Sequence, residues 1–340
     1  MFKKMLVPLD GSKSAERAIP VAACIAHATG GSIVFVHVVL PPVEFGTYTV
    51  DRTVSLKPGA FEARFVKVSG YLEDVVTAYA DDLVGIDVEI EAVSGAASPA
   101  IFSVARFEQV DLVIMCSHEE SGLKRWLFGS VAHEAVRHSP VPVLVLTDSG
   151  VLPIASEMTR PVSILVPLDG SKLSETALES AAQLASVLAA PASGALHLLR
   201  VVDLPSVIGK LRNPEFDVEI RKEARQEAEV YVKEVTEHLQ KRLTDVKVTI
   251  TSSVVVSPDI AGSIIKQAEQ SNCALIAVTT HGRSGLRRLL MGSVTEHILG
   301  VTSLPLLIVR PHEAEVQHEP EIEKDTVERR GHRPSAAVLQ

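Results

Sequence analysis

The 340-residue chain is poor in cysteine, poor in aromatic residues and short of basic charge, and none of its apolar runs is long. Its three cysteines, Cys24, Cys116 and Cys273, form no CxxC pair and have no histidine nearby at metal-ligand spacing. That removes a zinc site and a disulfide framework, and leaves three small buried apolar residues in a reducing, cytoplasmic setting. No stretch approaches the ~18 consecutive apolar residues of a membrane span. The amino terminus, MFKKMLVPLDGS, lacks the apolar core of a signal peptide. A formal net charge of −9 argues against binding to nucleic acid backbones, which need a basic face. Aromatic residues amount to 4%, and Trp126, the single tryptophan, is expected to be a packing residue.

What the chain does have is a duplication. MLVPLDGSKSAERAI from Met5 returns as ILVPLDGSKLSETAL from Ile164, and SIVFVHVV from Ser32 returns as ALHLLRVV from Ala195. DLVIMCSH at Asp111 returns as ALIAVTTH at Ala274, and GSVAHEAVRHSPVPVLVL at Gly129 as GSVTEHILGVTSLPLLIV at Gly292. The landmarks keep their order, so one domain has been doubled. The length is enough for two ordinary domains, each with its own core.

Within each half, short runs rich in β-branched residues (MLVPL, SIVFVHV, DLVIMC, VPVLVL) read as strands buried on both faces. Between them, Ala15, Ala18, Ile19, Ala22, Ile25 and Ala26 follow helical spacing, as do Ala224, Ala228, Val232, Val235 and Leu239. Alternation of this kind predicts a doubly wound α/β sheet in each half. The organisation expected is a first domain over 1–147, a linker over 148–161, a second domain over 162–310 and a disordered, solvated tail over 311–340. The final strands VPVLVL and LPLLIV are candidates for a seam between the halves, because unpaired apolar edges invite pairing. The alternative is two independent domains on a flexible linker.

In an open parallel sheet, ligands sit beyond the carboxyl ends of the strands. Asp169 ends the first strand of the second half, Thr279 to Gly282 leave the fourth, and Gly292-Ser293 open the last helix. A helix amino terminus preceded by glycine suits phosphate. Gly282 and Gly285 could curl around oxyanions, with Arg283 as a cation and Ser293 as a donor. The same residues also allow a plainer account: Ser293 with Glu296 makes a capping box that needs no ligand. His27, His37 and His197 sit in helix or strand patterns and are read as structural. His118 and His281 recur at the loop, where either could act in catalysis or shape the turn.

The openings ending in LVPLDGS, the second strands VFVHVV and LLRVVD, and the segment THGRSGLRRLLMGSV resemble the universal stress protein family. The likeness spans both halves, as in a tandem member of that family. It implies two flavodoxin-like domains of the adenine nucleotide alpha hydrolase type, each a parallel five-stranded sheet flanked by helices. It also implies ATP, held with Mg²⁺ through the pattern G-x2-G-x9-G-[ST]. On this sequence the pattern falls on Thr279, Gly282, Gly292 and Ser293, so its first glycine is a threonine. By the likeness, Asp169 would meet the ribose with Pro167 and Leu168 nearby, and the backbone of Val201 would meet adenine. Gly282, Gly292, Ser293, Val294 and Thr295 would cradle phosphates beside His281 and Arg283. The first half keeps Asp10, Pro8, Val38, Gly129 and Ser130, but its pattern reads Cys116, Glu119, Gly129, Ser130. Glu119 and Glu120 put carboxylates where a triphosphate would lie. At ~5 Å and an effective dielectric of ~20, each repulsion is about 3 kcal/mol before screening, or about two decades of affinity. The second half is therefore the expected nucleotide site.

No catalytic constellation accompanies these residues. The chain has no HxGH, no SGGxDS-type loop and no Walker A lysine, and nothing sets a base beside a nucleophile. Slow hydrolysis of bound ATP by water is conceivable, but not as a dedicated activity. The expectation is a stress-response regulator that binds an adenine nucleotide. The alternative is a nucleotide-independent scaffold of the same fold that works through an unidentified protein partner. On either reading the two halves are expected to pair as a pseudo-dimer, which could form a further homodimer, without nucleic acid or membrane.

Overall fold

A computed structural model describes residues 2–40, 59–117, 129–147, 152, 162–204, 214–280 and 291–311. The anticipated linker, except Leu152, and the tail beyond 311 lie outside the described residues, as do His118, Glu119, Glu120, Trp126, His281, Gly282 and Arg283.

The uninterrupted apolar runs become strands with no exposed side. The first half contains β1 (Lys4–Pro8), β2 (Ser32–Val39), β3 (Asp87–Ser94), β4 (Leu112–Cys116) and β5 (Val143–Leu146). The second contains β6 (Ser163–Leu168), β7 (Gly194–Val202), β8 (Val248–Val256), β9 (Leu275–Thr279) and β10 (Leu306–Val309). Every residue of β4, β5, β9 and β10 is buried, which only a strand covered on both faces achieves. Alternate residues serve opposite cores: Met5 and Ile164 point to one, Leu6 and Leu165 to the other.

The helices supply those covers. The first core takes side chains from α2 (Ala18–Thr29), α3 (Ala60–Ala78), α7 (Ala177–Leu188) and α8 (Pro214–Arg242). The second takes them from α4 (Ala97–Phe107), α5 (Ser130–His138), α9 (Ile260–Gln270) and α10 (Ser293–Val301). In α8, Ala228, Val232, Val235 and Leu239 are buried while the intervening charged residues face out, as the helical spacing predicts. The helical pattern from Ala15 to Ala26 is broken in fact: a one-turn α1 (Lys13–Glu16) ends at Arg17 before α2 begins. The equivalent break separates α6 (Lys172–Glu175) from α7 at Thr176. Tyr71 donates to Glu16 at 3.3 Å and Tyr231 to Glu175 at 3.2 Å, tying α3 and α8 to these short turns. Burial first, and then the adjacent carboxylate, raise both phenol pKa values, so both remain donors.

The strands form one sheet in the order β3-β2-β1-β4-β5-β10-β9-β6-β7-β8. Each half is parallel and reverses its strand order between β1 and β4, or between β6 and β9. The join is antiparallel, with Leu306 opposite Val145, Leu307 opposite Leu144 and Ile308 opposite Val143. The strands expected to form the seam are thus neighbours in one sheet. Across it, α2 packs on α7, Thr147 Oγ1 donates to the Ser303 carbonyl, and Arg137 of α5 pairs with Glu296 of α10 at 3.6 Å. Glu296 is therefore a seam residue, whereas its sequence position had suggested a capping partner. No helix among the described residues is long and apolar enough to cross a membrane.

Leu144 and Leu307 face each other at the seam with no exposed surface. Leu307→Ala is expected to lower stability by about 2–5 kcal/mol, the cost of an unfilled core position. The denaturant midpoint of the full chain measures this; an unchanged midpoint would mean that the seam carries no stability.

Candidate functional site

In both halves the first strand ends in the same turn, and the reason is local. Asp169 Oδ1 accepts from the Ser171 amide at 2.9 Å and from its hydroxyl at 2.6 Å. Gly170 sits at φ +89°, a backbone region that disfavours any side chain. Ser171 Oγ then caps α6 by accepting from the Ser174 amide. Asp10, Gly11 (φ +88°) and Ser12 repeat the arrangement before α1. The Asp-Gly-Ser turn thus fixes a carboxylate at the carboxyl end of the sheet, beside the point where strand order reverses.

The last helix of each half begins differently. Gly292 precedes α10 and Gly129 precedes α5, and neither provides a side-chain cap. Ser293 and Ser130 are the first helical residues, so the capping box read from Ser293 and Glu296 does not form. An α-helix leaves its first amides without partners inside the helix, here those of Ser293, Val294 and Thr295. By contrast, α9 is closed by Asp259, whose carboxylate accepts from the Gly262 amide at 2.9 Å.

Gly292 itself is informative. Its φ of −60° suits any residue. Among the described residues, a Cβ placed there would meet only the Thr280 carbonyl oxygen, at an ordinary 3.5 Å. Neither backbone strain nor packing against the described residues requires glycine. What the missing side chain leaves open is the approach from the cavity to the helix amides.

That cavity, of about 310 Å³, is lined by Pro167, Leu168, Asp169, Val201, Thr279, Gly292, Ser293, Val294 and Thr295. Every second-half candidate among the described residues is therefore at its wall. Val278, Ile260, Ile264 and Ile298 add an apolar side. Arg200, also lining it, was missed by the sequence reading. Its guanidinium donates to the carbonyls of Leu168 and Val201, both at 3.2 Å, so it braces the ends of β6 and β7. Its place in LLRVVD, one residue before Val201, was the available signal. Thr279, the departure from the glycine pattern, gives its carbonyl to the buried Thr295 hydroxyl at 2.9 Å, which ties the end of β9 to α10.

The first half has an equivalent cavity, of about 610 Å³, lined by Asp10, Val38, Gly129 and Ser130, with Pro8 and Cys116. His37, at the position of Arg200, lines it too. The strand pattern had read His37 as structural, and the structure sets it at the wall of this cavity. Its Nδ1 is buried with no hydrogen-bond partner among the described residues, and its ring meets Tyr71 edge-on at 5.8 Å between centroids. His27 and His197 do have structural partners, respectively the Asp82 carbonyl and the hydroxyls of Thr251 and Ser253. Cys116 and Cys273 are buried and Cys24 partly so.

A family model described as the universal stress protein family matches residues 1–147 and again 163–310. The chain belongs to the universal stress protein family. Universal stress protein Rv2005c of Mycobacterium tuberculosis is 30% identical over 238 residues, covering 68% of this chain and 73% of the relative. Universal stress protein Rv2623 of the same species is 29% identical over 315 residues, 90% of this chain and 96% of its own. Among solved structures, a universal stress protein from Pseudomonas aeruginosa UCBPP-PA14 aligns with a TM-score of 0.59 at 16% identity, covering 93% of this chain and 96% of that one. That last likeness concerns the fold: two flavodoxin-like α/β units in tandem.

Burial, against the opposing charge of Asp10, lowers the pKa of His37 below its usual value. The unfolded chain then binds the proton more readily, so stability is lost as pH falls from about 6.5 through the folded pKa. His37→Gln is expected to reduce the loss of stability between neutral and mildly acidic pH, measured by urea unfolding at each pH. A slope equal to that of the wild type would remove His37 as a source.

Proposed function

We propose that this universal stress protein binds ATP, with Mg²⁺, in the cavity of its second half. Occupancy would bias the chain's conformation or association, making it a nucleotide-dependent regulator in the stress response. The observation that carries this reading is Gly292, a glycine that, among the described residues, neither backbone conformation nor packing demands, heading a helix without a side-chain cap at a cavity wall. Phosphate at the amides of Ser293, Val294 and Thr295 would satisfy donors the helix leaves open. Pro167, Leu168 and Val201 would bound adenine, and Asp169 would keep one oxygen in its turn while its carboxylate meets the ribose. Arg200 fixes the strand ends that carry these groups. His281, Gly282 and Arg283 would complete the phosphate loop.

Binding of about one nucleotide per chain is expected, because the first-half loop carries Glu119 and Glu120 where the second carries Gly282 and Arg283. Titration calorimetry that resolves two equivalent sites would overturn the assignment. Gly292→Asp should weaken ATP binding at least about 100-fold by setting a carboxylate against the phosphates. The fold should survive, since the backbone there accepts any residue and aspartate is a good helix cap. Asp10→Asn, which keeps the turn of the first half, should leave affinity unchanged; a reversed pair of effects would move the site to the first half.

The contrast between the loops has its own test. In a chain already carrying Gly292→Asp, Glu119→Gly with Glu120→Arg should restore weak ATP binding to the first half. Recovery should be partial, because Cys116 still stands in place of the pattern's first glycine. No binding at millimolar ATP by a folded variant would mean that charge is not what excludes nucleotide there.

A further inference from the structure

The sheet ends in two edges of unlike character. On β3 the edge carries Asp87, Glu89 and Glu91, and charge of one sign on an edge discourages pairing with another chain. On the other side, β8 reads VTITSSVVV: nine residues without a charge, seven of them β-branched. All nine pair in parallel with β7, and among the described residues nothing pairs with the opposite side.

The hydrogen bonds that flank β8 show which of its groups face out. Gly194 donates to the Lys247 carbonyl, and the Ser257 amide donates to Val202. With the parallel register, these bonds turn the main-chain groups of the odd-numbered residues toward β7. The amides and carbonyls of Val248, Ile250, Ser252, Val254 and Val256 then point to the open edge. Polar side chains of β8 bond back toward β7: Thr249 and Thr251 donate to its carbonyls, and His197 holds both Thr251 and Ser253. Unpaired backbone is what this edge presents.

We propose that β8 pairs antiparallel with β8 of a second copy of this chain, about a two-fold axis at Ser252. In that register Ser252 meets Ser252, Ile250 meets Val254, and Val248 meets Val256. All of these are outward-facing residues, as the bonded pairs of an antiparallel ladder must be. Five such pairs exchange two bonds each, about ten main-chain hydrogen bonds. The side chains agree with the register. Val248, Ile250 and Val254 belong to the apolar face that packs on the first core, so the pairing continues an apolar face across the axis. Thr251 meets Ser253 on the other face, polar against polar. The β5–β10 seam already joins the two halves edge to edge in the same antiparallel sense; a β8 pair would extend the sheet into the second molecule.

Sedimentation equilibrium of the full chain should give a dimer at micromolar concentration. Ser252→Lys, at an exposed position, would set like charges opposite each other and should raise the dissociation constant at least about tenfold. Ser252→Pro removes an outward amide while sparing the bonds to β7, and should do the same. Glu91→Lys on β3 should change nothing. Amide hydrogen exchange should show protection that rises with concentration at Val248, Ile250, Ser252, Val254 and Val256. A wild type that stays monomeric at high micromolar concentration would overturn the proposal. So would a dimer retained by both folded Ser252 variants, or one broken by Glu91→Lys.

Discussion

The antiparallel contact between β5 and β10 is short, three residue pairs between strands of four residues, and the arrangement of the molecule depends on it. Two parallel half-sheets would each leave a fully apolar terminal strand open to water. Pairing these strands buries Val143, Leu144, Val145, Leu306 and Leu307 almost completely and lets both helical layers run across the junction. It also sets the sense of the halves. Because the join is antiparallel, the carboxyl ends of the two half-sheets point in opposite directions, so their cavities lie at opposite ends of one sheet. Both cavities are walled by helices of the same layer, α4 and α5 in one case, α9 and α10 in the other. The two helices that head these cavities, α5 and α10, are linked at the seam by Arg137 and Glu296.

Within each half, the chemistry available to a ligand comes from two backbone devices. The Asp-Gly-Ser turn spends its hydrogen bonds internally, through a positive-φ glycine and a capping serine, and thereby holds a carboxylate still. The glycine-headed final helix does the opposite and leaves its first amides without a side-chain cap. The cavity lies between a closed terminus with negative charge and an open one with positive dipole. That polarity is built from main chain and a few small residues, so it survives in both halves although their loops differ.

The differences between the halves are differences of side chains on a shared frame. Arg200 braces the ends of β6 and β7, while the equivalent His37 has a buried nitrogen without a partner among the described residues, and burial lowers its pKa. Thr279 uses its carbonyl to anchor Thr295, whereas Cys116 lies at the corresponding strand end. The first cavity is about 610 Å³ and the second about 310 Å³.

The duplication, the buried strands, the switch-point location of the candidate residues and the seam strands were all legible in the sequence. They depend on periodicity and on repeats of Asp-Gly-Ser and Gly-Ser, which are local signals. Ser293 and Glu296 show where that reading failed. Their spacing fits a capping box, but the helix starts one residue earlier than the box requires, and Glu296 serves Arg137 of the other half. Arg200 and His37 were hidden for a related reason: on a strand, a single polar residue among apolar ones does not reveal which cavity it lines. Which edge amides of β8 face outward could not be read from composition either, because it follows from the register with β7. The sequence by itself determined two copies of one α/β unit and the residue types at their strand ends. Tertiary structure decided which main-chain groups stay open and which side chains meet across the seam, because both depend on contacts between segments far apart in the chain.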